Sequence, residues 1–408
     1  MKRFKIVLCS ALVMTCQLVT GQNVTGGDVM DIGQSDTNIV SISQRVFNLE
    51  KKTDAFNFYV NYAFSGSESN EKGPWQARFF ARQIRLEIKG NITDKLFYRF
   101  RHRLNRSNAA KGWDNFAKAT DYLMVGYRFS KQWSVSLGKK SQAWGGFEYD
   151  ENPVYIYQFS DFQNNMDNAK VGAMVAFSPI SSQEFIAEVT GTNNGTFNED
   201  FGDDVMLVSK NVNNVTPVET SNNPLTYILG WNGSFLDNKL QTRWSYGFMS
   251  QARGLYARSW IFGQKLNLDR FQLYFDYMGE WNDMDRLGIA TSDLKGFVQS
   301  DIASNPRFSK VHYNTFITKM NWQFIPQWNL MLKGTYETAS VTSIKEYKNY
   351  RKSIAYFASI EYYPVKDQDL RVFLAFLGHS YVFNKTCGLS DYNTANIELG
   401  FKYRMKLF

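Results

Sequence analysis

Residues 393–408 read NTANIELGFKYRMKLF, and this stretch decides the fold class. Every second position holds a large apolar side chain, at Ile397, Leu399, Phe401, Tyr403 and Met405. Most residues between them are charged, and a period of two predicts a β-strand with one apolar and one polar face. The inner face of a soluble sandwich rarely carries so many charges, whereas in a transmembrane barrel lipid contacts the aromatic face and the lumen takes the charges.

The same alternation recurs along the chain, most regularly at 56–64, and predicts an all-β protein. The sixteen predicted strands are 56–64, 77–89, 95–104, 119–129, 132–139, 169–177, 183–191, 224–235, 239–250, 256–267, 270–281, 311–324, 327–339, 353–363, 369–382 and 393–408. Each is near the ~9–11 residues that a tilted strand needs to cross a bilayer. Strand 311–324 alternates poorly, so the predicted count is about sixteen, within a range of 14 to 18.

The connections between these strands support the barrel independently. They are short after the even-numbered strands and long after the odd-numbered ones, with 251–255 as the single short exception. A transmembrane antiparallel β-barrel with short periplasmic turns and long extracellular loops has this arrangement. We therefore expect a barrel over 55–408 in the bacterial outer membrane, in contact with its lipid. The start of the first strand and the end of the last strand are expected to lie on the periplasmic side.

The first residues predict a secretory signal. Residues 1–21 combine a basic start with an apolar stretch from Ile6 to Thr20, and the mature chain is expected to begin at Gln22. A lipoprotein signal at Cys16 is the alternative, although the residues before it are larger than such a signal prefers. Residues 22–54 are expected to form a periplasmic segment. Its apolar positions are spaced as in a short helix that flanks or plugs the barrel, or as in a coiled coil.

Composition excludes several classes of protein. Of the three cysteines, only Cys387 lies beyond the predicted signal, so a disulfide framework is excluded. The net charge of +8 is mild and falls further once the basic signal residues are removed, so no nucleic-acid partner is expected. No cofactor is implied. The histidines His102, His312 and His379 have neither metal-ligand nor nucleophile spacing, so we expect no metal site and no enzyme.

Four arginines on two neighbouring predicted strands are the main candidate site. The alternation places Arg99, Arg101 and Arg103 on the inner face, and Arg85 on the inner face next to them. Like charges about 7 Å apart repel, which favours a water-filled wall that meets anions and makes these residues channel lining. The alternative is a structural column screened by inner carboxylates such as Glu87.

The third long connection, 140–168, contains the most distinctive motif. It follows Gly138 and includes Trp144-Gly145-Gly146-Phe147-Glu148-Tyr149-Asp150 and a downstream proline. With sixteen strands and a signal peptide, this segment resembles the phosphate-selective porin O and P family. The resemblance implies a trimeric porin whose third loop folds inward and narrows the pore. The expected constriction residues are Lys139, Lys140, Glu148, Asp150 and Glu151.

The expected function is passive diffusion of small hydrophilic solutes with a weak preference for anions, phosphate among them. The acidic third loop departs from a dedicated phosphate filter, because an acidic loop opposite an arginine wall is typical of the transverse field of a general porin. The alternative is a barrel that does not conduct and acts as an adhesin or surface scaffold.

Overall fold

The structure is a computed structural model that describes residues 55–71, 73–110 and 112–407. The predicted signal at 1–21 and the predicted periplasmic segment at 22–54 lie outside the described residues. None of the helices in the described part of the chain is long and apolar enough to cross a membrane.

Sixteen antiparallel strands close into a barrel, which confirms the predicted fold class. They are β1–β7 and β10–β18, and the last of them pairs with the first. Their bounds are β1 Asn57–Glu71, β2 Gln76–Asn91, β3 Leu96–Arg103, β4 Thr120–Arg128, β5 Trp133–Ser141, β6 Ala169–Ile180, β7 Gln183–Gly191, β10 Leu225–Phe235, β11 Leu240–Ala252, β12 Leu255–Asn267, β13 Phe271–Met284, β14 Asn305–Ile325, β15 Trp328–Val341, β16 Arg351–Tyr362, β17 Asp369–Phe383 and β18 Tyr392–Lys406.

The remaining elements lie in the long connections. Two short strands, β8 Val205–Val208 and β9 Val215–Pro217, pair with each other, and β8 also runs parallel to residues 305–308. The α-helices are α1 Phe147–Asp150, α2 Asp161–Asn164, α3 Phe197–Phe201 and α4 Ile289–Leu294. Short 3-10 helices span Pro153–Tyr155, Lys295–Phe297, Lys345–Tyr347 and Lys385–Cys387.

The two faces of the wall follow the alternation in the sequence. In β16, Ile354 and Tyr356 are about half exposed, whereas Ser353 and Ala355 between them are buried. Exposed Leu, Phe, Tyr and Trp side chains continue around the outside of the barrel, which is far more apolar surface than a soluble protein leaves uncovered. Lipid is the environment that fits this outer surface.

Two strands extend well beyond their predicted boundaries, namely β1 at its end and β14 at its start. Residues 65–76 were expected to be a long loop. In the structure, β1 and β2 pair as far as Ser69 and Gln76, which lie within that range. The prediction was wrong because serine, glycine and glutamate carry no apolar signal here, while pairing with β18 continues along the whole extension. Strand β14 similarly begins at Asn305 rather than 311, because β8 adds to its end.

Candidate functional site

The connection between β5 and β6, residues 142–168, runs across the inside of the barrel, and we call it the crossing loop. It begins in a tight seam where Gly145 N–H donates to Ser245 Oγ over 2.8 Å. A Cβ at Gly145 would come within 3.0 Å of the backbone of Arg243 and Ser245, so only glycine fits this approach. The next residue, Gly146, has a φ of 85°, which glycine adopts without strain.

Two inner-face carboxylates dock the two helices of the crossing loop. Asp276 of β13 accepts from the Phe147 and Glu148 amides over 2.8 Å at the start of α1. Glu337 of β15 accepts from the Asp161 amide over 2.7 Å at the start of α2. The free amides of a helix N-terminus suit a carboxylate acceptor. We call this pair the docking carboxylates.

Four of the five acidic side chains of the crossing loop anchor it to the barrel strands. Glu148 is fully buried, pairs with Lys333 and accepts from Ser160 Oγ. Three further acids meet cations on β11, β14 and β16: Asp150 meets Arg243 at 3.3 Å, Glu151 meets Lys319, and Asp161 meets Arg351 at 2.6 Å. The fifth acid, Asp167, is largely exposed and meets Lys170 of β6 at 3.5 Å. Cations therefore answer the charge of four loop acids, and the expected transverse field from this loop stays a prediction.

Two tyrosines fasten the middle of the crossing loop to the strands near the chain end. Tyr157 O–H donates to Glu361 over 2.7 Å, and Lys402 Nζ lies 3.1 Å from the centroid of the Tyr157 ring. Lys402 also donates to the Tyr155 carbonyl over 3.0 Å. The cation-π contact and these buried hydrogen bonds hold the loop against β16–β18. Sequence reasoning did not find them, because the partners are about 200 residues away along the chain.

The predicted arginines lie together on the inner face of β2 and β3, and we call Arg85, Arg99, Arg101 and Arg103 the arginine wall. Arg99 pairs with Glu87 at 2.5 Å. The other three converge on Asp121 of β4, with Arg103 at 2.7 Å, Arg101 at 3.2 Å and Arg85 at 3.7 Å. Repulsion within the column is therefore partly screened, as the structural alternative expected, although by Asp121 more than by Glu87.

Asp121 escaped the sequence analysis because of a β-bulge. Arg101 pairs with Tyr122 and the next residue, His102, pairs with Thr120, so Asp121 is the extra residue of the bulge. A strict period of two would place Asp121 on the lipid face with Leu123 and Val125. The bulge instead turns its carboxylate inward, which is a known way for a strand to redirect a side chain.

A cavity of about 410 Å³ separates the arginine wall from the crossing loop. Further cations line it beyond the wall, namely Arg106, Lys118 and Lys139. Lys139 pairs with Asp114 at 2.6 Å, whereas Arg106 and Lys118 form no ion pair within 4 Å among the described residues. Burial lowers the pKa of Arg106, and the nearby Arg103 guanidinium lowers it further. Positive charge therefore exceeds negative charge on this side of the lumen.

The structure separates the two predicted lysines. Lys139 lines the cavity, but Lys140 lies within the wall, where its Nζ pairs with Glu188 of β7. Of the predicted constriction acids, Asp150 and Glu151 reach the cavity, and their charged ends turn to Arg243 and Lys319. The roles of these residues in lining or narrowing an ion path stay predictions.

The histidines do not form a hydrolytic arrangement in the described residues. His379 Nε2 lies 2.5 Å from Ser353 Oγ, a contact that the sequence did not suggest. Asp161 approaches the same nitrogen at 3.8 Å, while Nδ1 contacts the Tyr381 hydroxyl at 3.0 Å. A catalytic triad needs the carboxylate on the nitrogen opposite the serine, and Ser353 is fully buried. We therefore interpret this cluster as side-chain packing between β16 and β17.

Solved porin structures share this architecture. The outer membrane channel DcaP of Acinetobacter baumannii has 9% sequence identity and a TM-score of 0.58, over 86% of this chain and 97% of that chain. OmpF of Salmonella typhi, solved with daunomycin, has 12% identity and a TM-score of 0.53, over 85% and 97%. OmpT of Vibrio cholerae has 10% identity and a TM-score of 0.52, over 87% and 99%. At these identities the likeness shows the fold alone.

A search of curated proteins finds no match. The family model described as phosphate-selective porin O and P matches residues 55–405, which is nearly the whole barrel. The predicted resemblance is thereby confirmed, together with the outer-membrane location. The chain belongs to the phosphate-selective porin O and P family of outer-membrane channels.

Proposed function

We propose that the protein is a passive diffusion channel for small hydrophilic solutes with a weak preference for anions. The observation that carries the proposal is the excess of cations around the cavity, where Arg106 and Lys118 add to the arginine wall without ion pairs of their own in the described residues. Fixed charges beside a narrow aqueous path bias which ion enters. The path is expected to follow this wall, because the cavity lies between the arginines and the crossing loop.

The preference for anions is expected to be weak because carboxylates pair with most of the arginines of the arginine wall. Asp121 is shared by Arg85, Arg101 and Arg103, and Glu87 faces Arg99. Mobile ions further screen what remains within about 10 Å at 0.1 M salt. Strict phosphate selectivity is not part of the proposal, because four carboxylates line the cavity among its cations, namely Asp121, Asp150, Glu151 and Asp167.

Two opposite charge changes at one ion pair test the proposal. Arg103→Gln removes one positive charge and should lower chloride-over-potassium permeability in planar bilayers. Asp121→Asn removes the negative charge 2.7 Å away and should raise it. Both shifts should be largest at low salt. Arg253→Gln is the control, because this exposed arginine pairs with Glu219 far from the cavity.

Opposite shifts for the two variants would support the proposal, and equal permeability ratios for both would place the wall outside the ion path. Heat-dependent gel migration identifies variants that have not folded. Phosphate block of chloride current at micromolar concentration would indicate a dedicated filter instead.

A barrel that does not conduct remains the second candidate, with a role as adhesin or scaffold. It is favoured by the apolar cluster that residues 285–304 form inside the long-loop end of the barrel. Leu287, Ile289 and Leu294 are buried there in one cluster with Trp144 and Phe147. Absence of open steps in planar bilayers for correctly folded protein would select this candidate.

We also propose that the protein assembles as a homotrimer. Strands β3, β4 and β5 have only eight or nine residues, whereas β14 has 21. An eight-residue strand tilted by about 40° rises roughly 20 Å, less than the ~25 Å apolar band of a barrel. A wall this low is better covered by a neighbouring protomer than by lipid. Migration at monomer mass without heating, with mass measurement in detergent agreeing, would contradict the trimer.

A further inference from the structure

We infer that the cavity binds a small organic anion, with its carboxylate or phosphate group at Arg85 and a hydroxyl-rich body against the crossing loop. The inference rests on the proposed channel, since the same cavity would then serve as a binding station on the path. It goes beyond a general preference for anions because it names the chemical class of the solute.

Arg85 is the group that points to a charged ligand. It is 4% exposed and lines the cavity. Its Nε and Nη1 have no hydrogen-bond acceptor among the described residues. The nearest carboxylate, Asp121, lies 3.7 Å away and already accepts from Arg101 and Arg103. A buried guanidinium without acceptors is costly, so an anion that supplies oxygens here would be bound favourably.

Polar groups of the crossing loop and its neighbour point to the rest of the ligand. Three side chains that line the cavity carry buried atoms without partners in the described chain: Nδ2 of Asn152, Oδ1 of Asn194 and Oε1 of Gln163. The first is a donor and the other two are acceptors. Inorganic phosphate offers mainly acceptors at neutral pH, whereas a hydroxyl group both donates and accepts. A hydroxylated body satisfies this mixed set better than a bare oxyanion.

The size and the walls of the cavity agree with an organic ligand. Its volume of about 410 Å³ falls within the ~300–1,000 Å³ of typical small-molecule sites. Aromatic rings supply apolar surface for the carbon skeleton, at Phe116, Tyr122, Trp144 and Phe159. Sugar acids and sugar phosphates combine a charged group, hydroxyls and C–H surface in this way.

Calorimetric titration of the folded barrel in detergent tests the inference without requiring conductance. Gluconate and acetate share a carboxylate, but only gluconate carries hydroxyls, so gluconate should bind roughly tenfold or more tightly. Sorbitol, which lacks the charge, should bind far more weakly than gluconate. Inorganic phosphate should also bind more weakly than gluconate.

Variants then divide the two halves of the ligand. Arg85→Gln should weaken both gluconate and acetate, whereas Asn194→Ala should weaken gluconate and leave acetate unchanged. Arg253→Gln at the exposed rim should alter neither, and heat-dependent gel migration confirms folding. Equal affinity for gluconate and acetate, tighter binding of phosphate, or an Arg85→Gln variant with unchanged affinity would overturn the inference.

Binding and conduction are measured separately, so their failures can be distinguished. Gluconate binding by a barrel that does not conduct would refute the channel and leave the binding site standing. Conduction without gluconate binding would refute the binding site and leave the channel standing.

Discussion

At the scale of single residues, Asp121 and Gly145 decide how the lumen is built. Asp121 gathers three arginines that would otherwise repel one another, and it reaches them only because a bulge turns it inward. Gly145 lets the crossing loop approach the backbone of β11 more closely than any side chain allows. Asp121 therefore sets the net charge of the arginine wall, and Gly145 sets the position of the crossing loop.

Gly145→Ala is expected to displace the crossing loop from its seam. The added methyl group meets backbone atoms rather than a flexible side chain, and overpacking of this kind costs about 1–3 kcal/mol. Limited proteolysis should cut the loop faster, and single-channel conductance should change. Gly296→Ala is the matched control, since its Cβ meets nothing within 4 Å. Unchanged proteolysis of Gly145→Ala would show that the seam is looser than the structure has it.

At the scale of elements, the docking carboxylates decide the position of the crossing loop. Asp276 and Glu337 each accept amide hydrogen bonds from the start of a short helix, and neither forms an ion pair within 4 Å in the described chain. Helices of four residues are not stable alone, so the loop keeps its form through these contacts and its ion pairs with the barrel strands.

Glu337→Gln should loosen α2 without changing the wall. The amide keeps one acceptor oxygen but loses the charge that strengthens the Asp161 and Phe162 contacts, each worth about 1.5–3 kcal/mol. Current recordings should show more frequent flicker between conductance levels. Glu219→Gln provides a control, because Glu219 sits in an exposed pair with Arg253. Steady currents like those of the parent protein would contradict a docking role.

The sequence predicted the strands far better than the site. Period two, together with the sorting of short and long connections, located all sixteen barrel strands, because one face of each is fixed by lipid. It failed at β1 and β2, where polar residues extend the pairing. It also missed Asp121 and the partners of the loop acids. A bulge breaks the period, and contacts such as Glu148 with Lys333 join residues too distant for any local pattern to link.

At the scale of the whole molecule, the barrel is unequal from side to side. The crossing loop contacts β11–β18 and also β2, for example where Asp276 accepts from Phe147 and where Arg82 donates to the Tyr157 carbonyl over 2.7 Å. Residues 285–304 pack against β14 and β16, through contacts such as Arg351 with Asp293 and Tyr313 with Ala290. The arginine wall on β2 and β3 faces the cavity instead. We therefore expect solute to pass along one side of the lumen, beside an excess of positive charge.

The zero-current potential of the unmodified protein across a potassium chloride gradient measures the proposed anion preference of the pore. We expect stable open steps and a potential whose sign shows that chloride passes a few-fold more readily than potassium. The potential should approach zero, the value for a pore without selectivity, as salt is raised on both sides at a fixed ratio. The reason is that mobile ions screen the charges of the arginine wall. A potential of the opposite sign, or no open steps at all, would contradict the account.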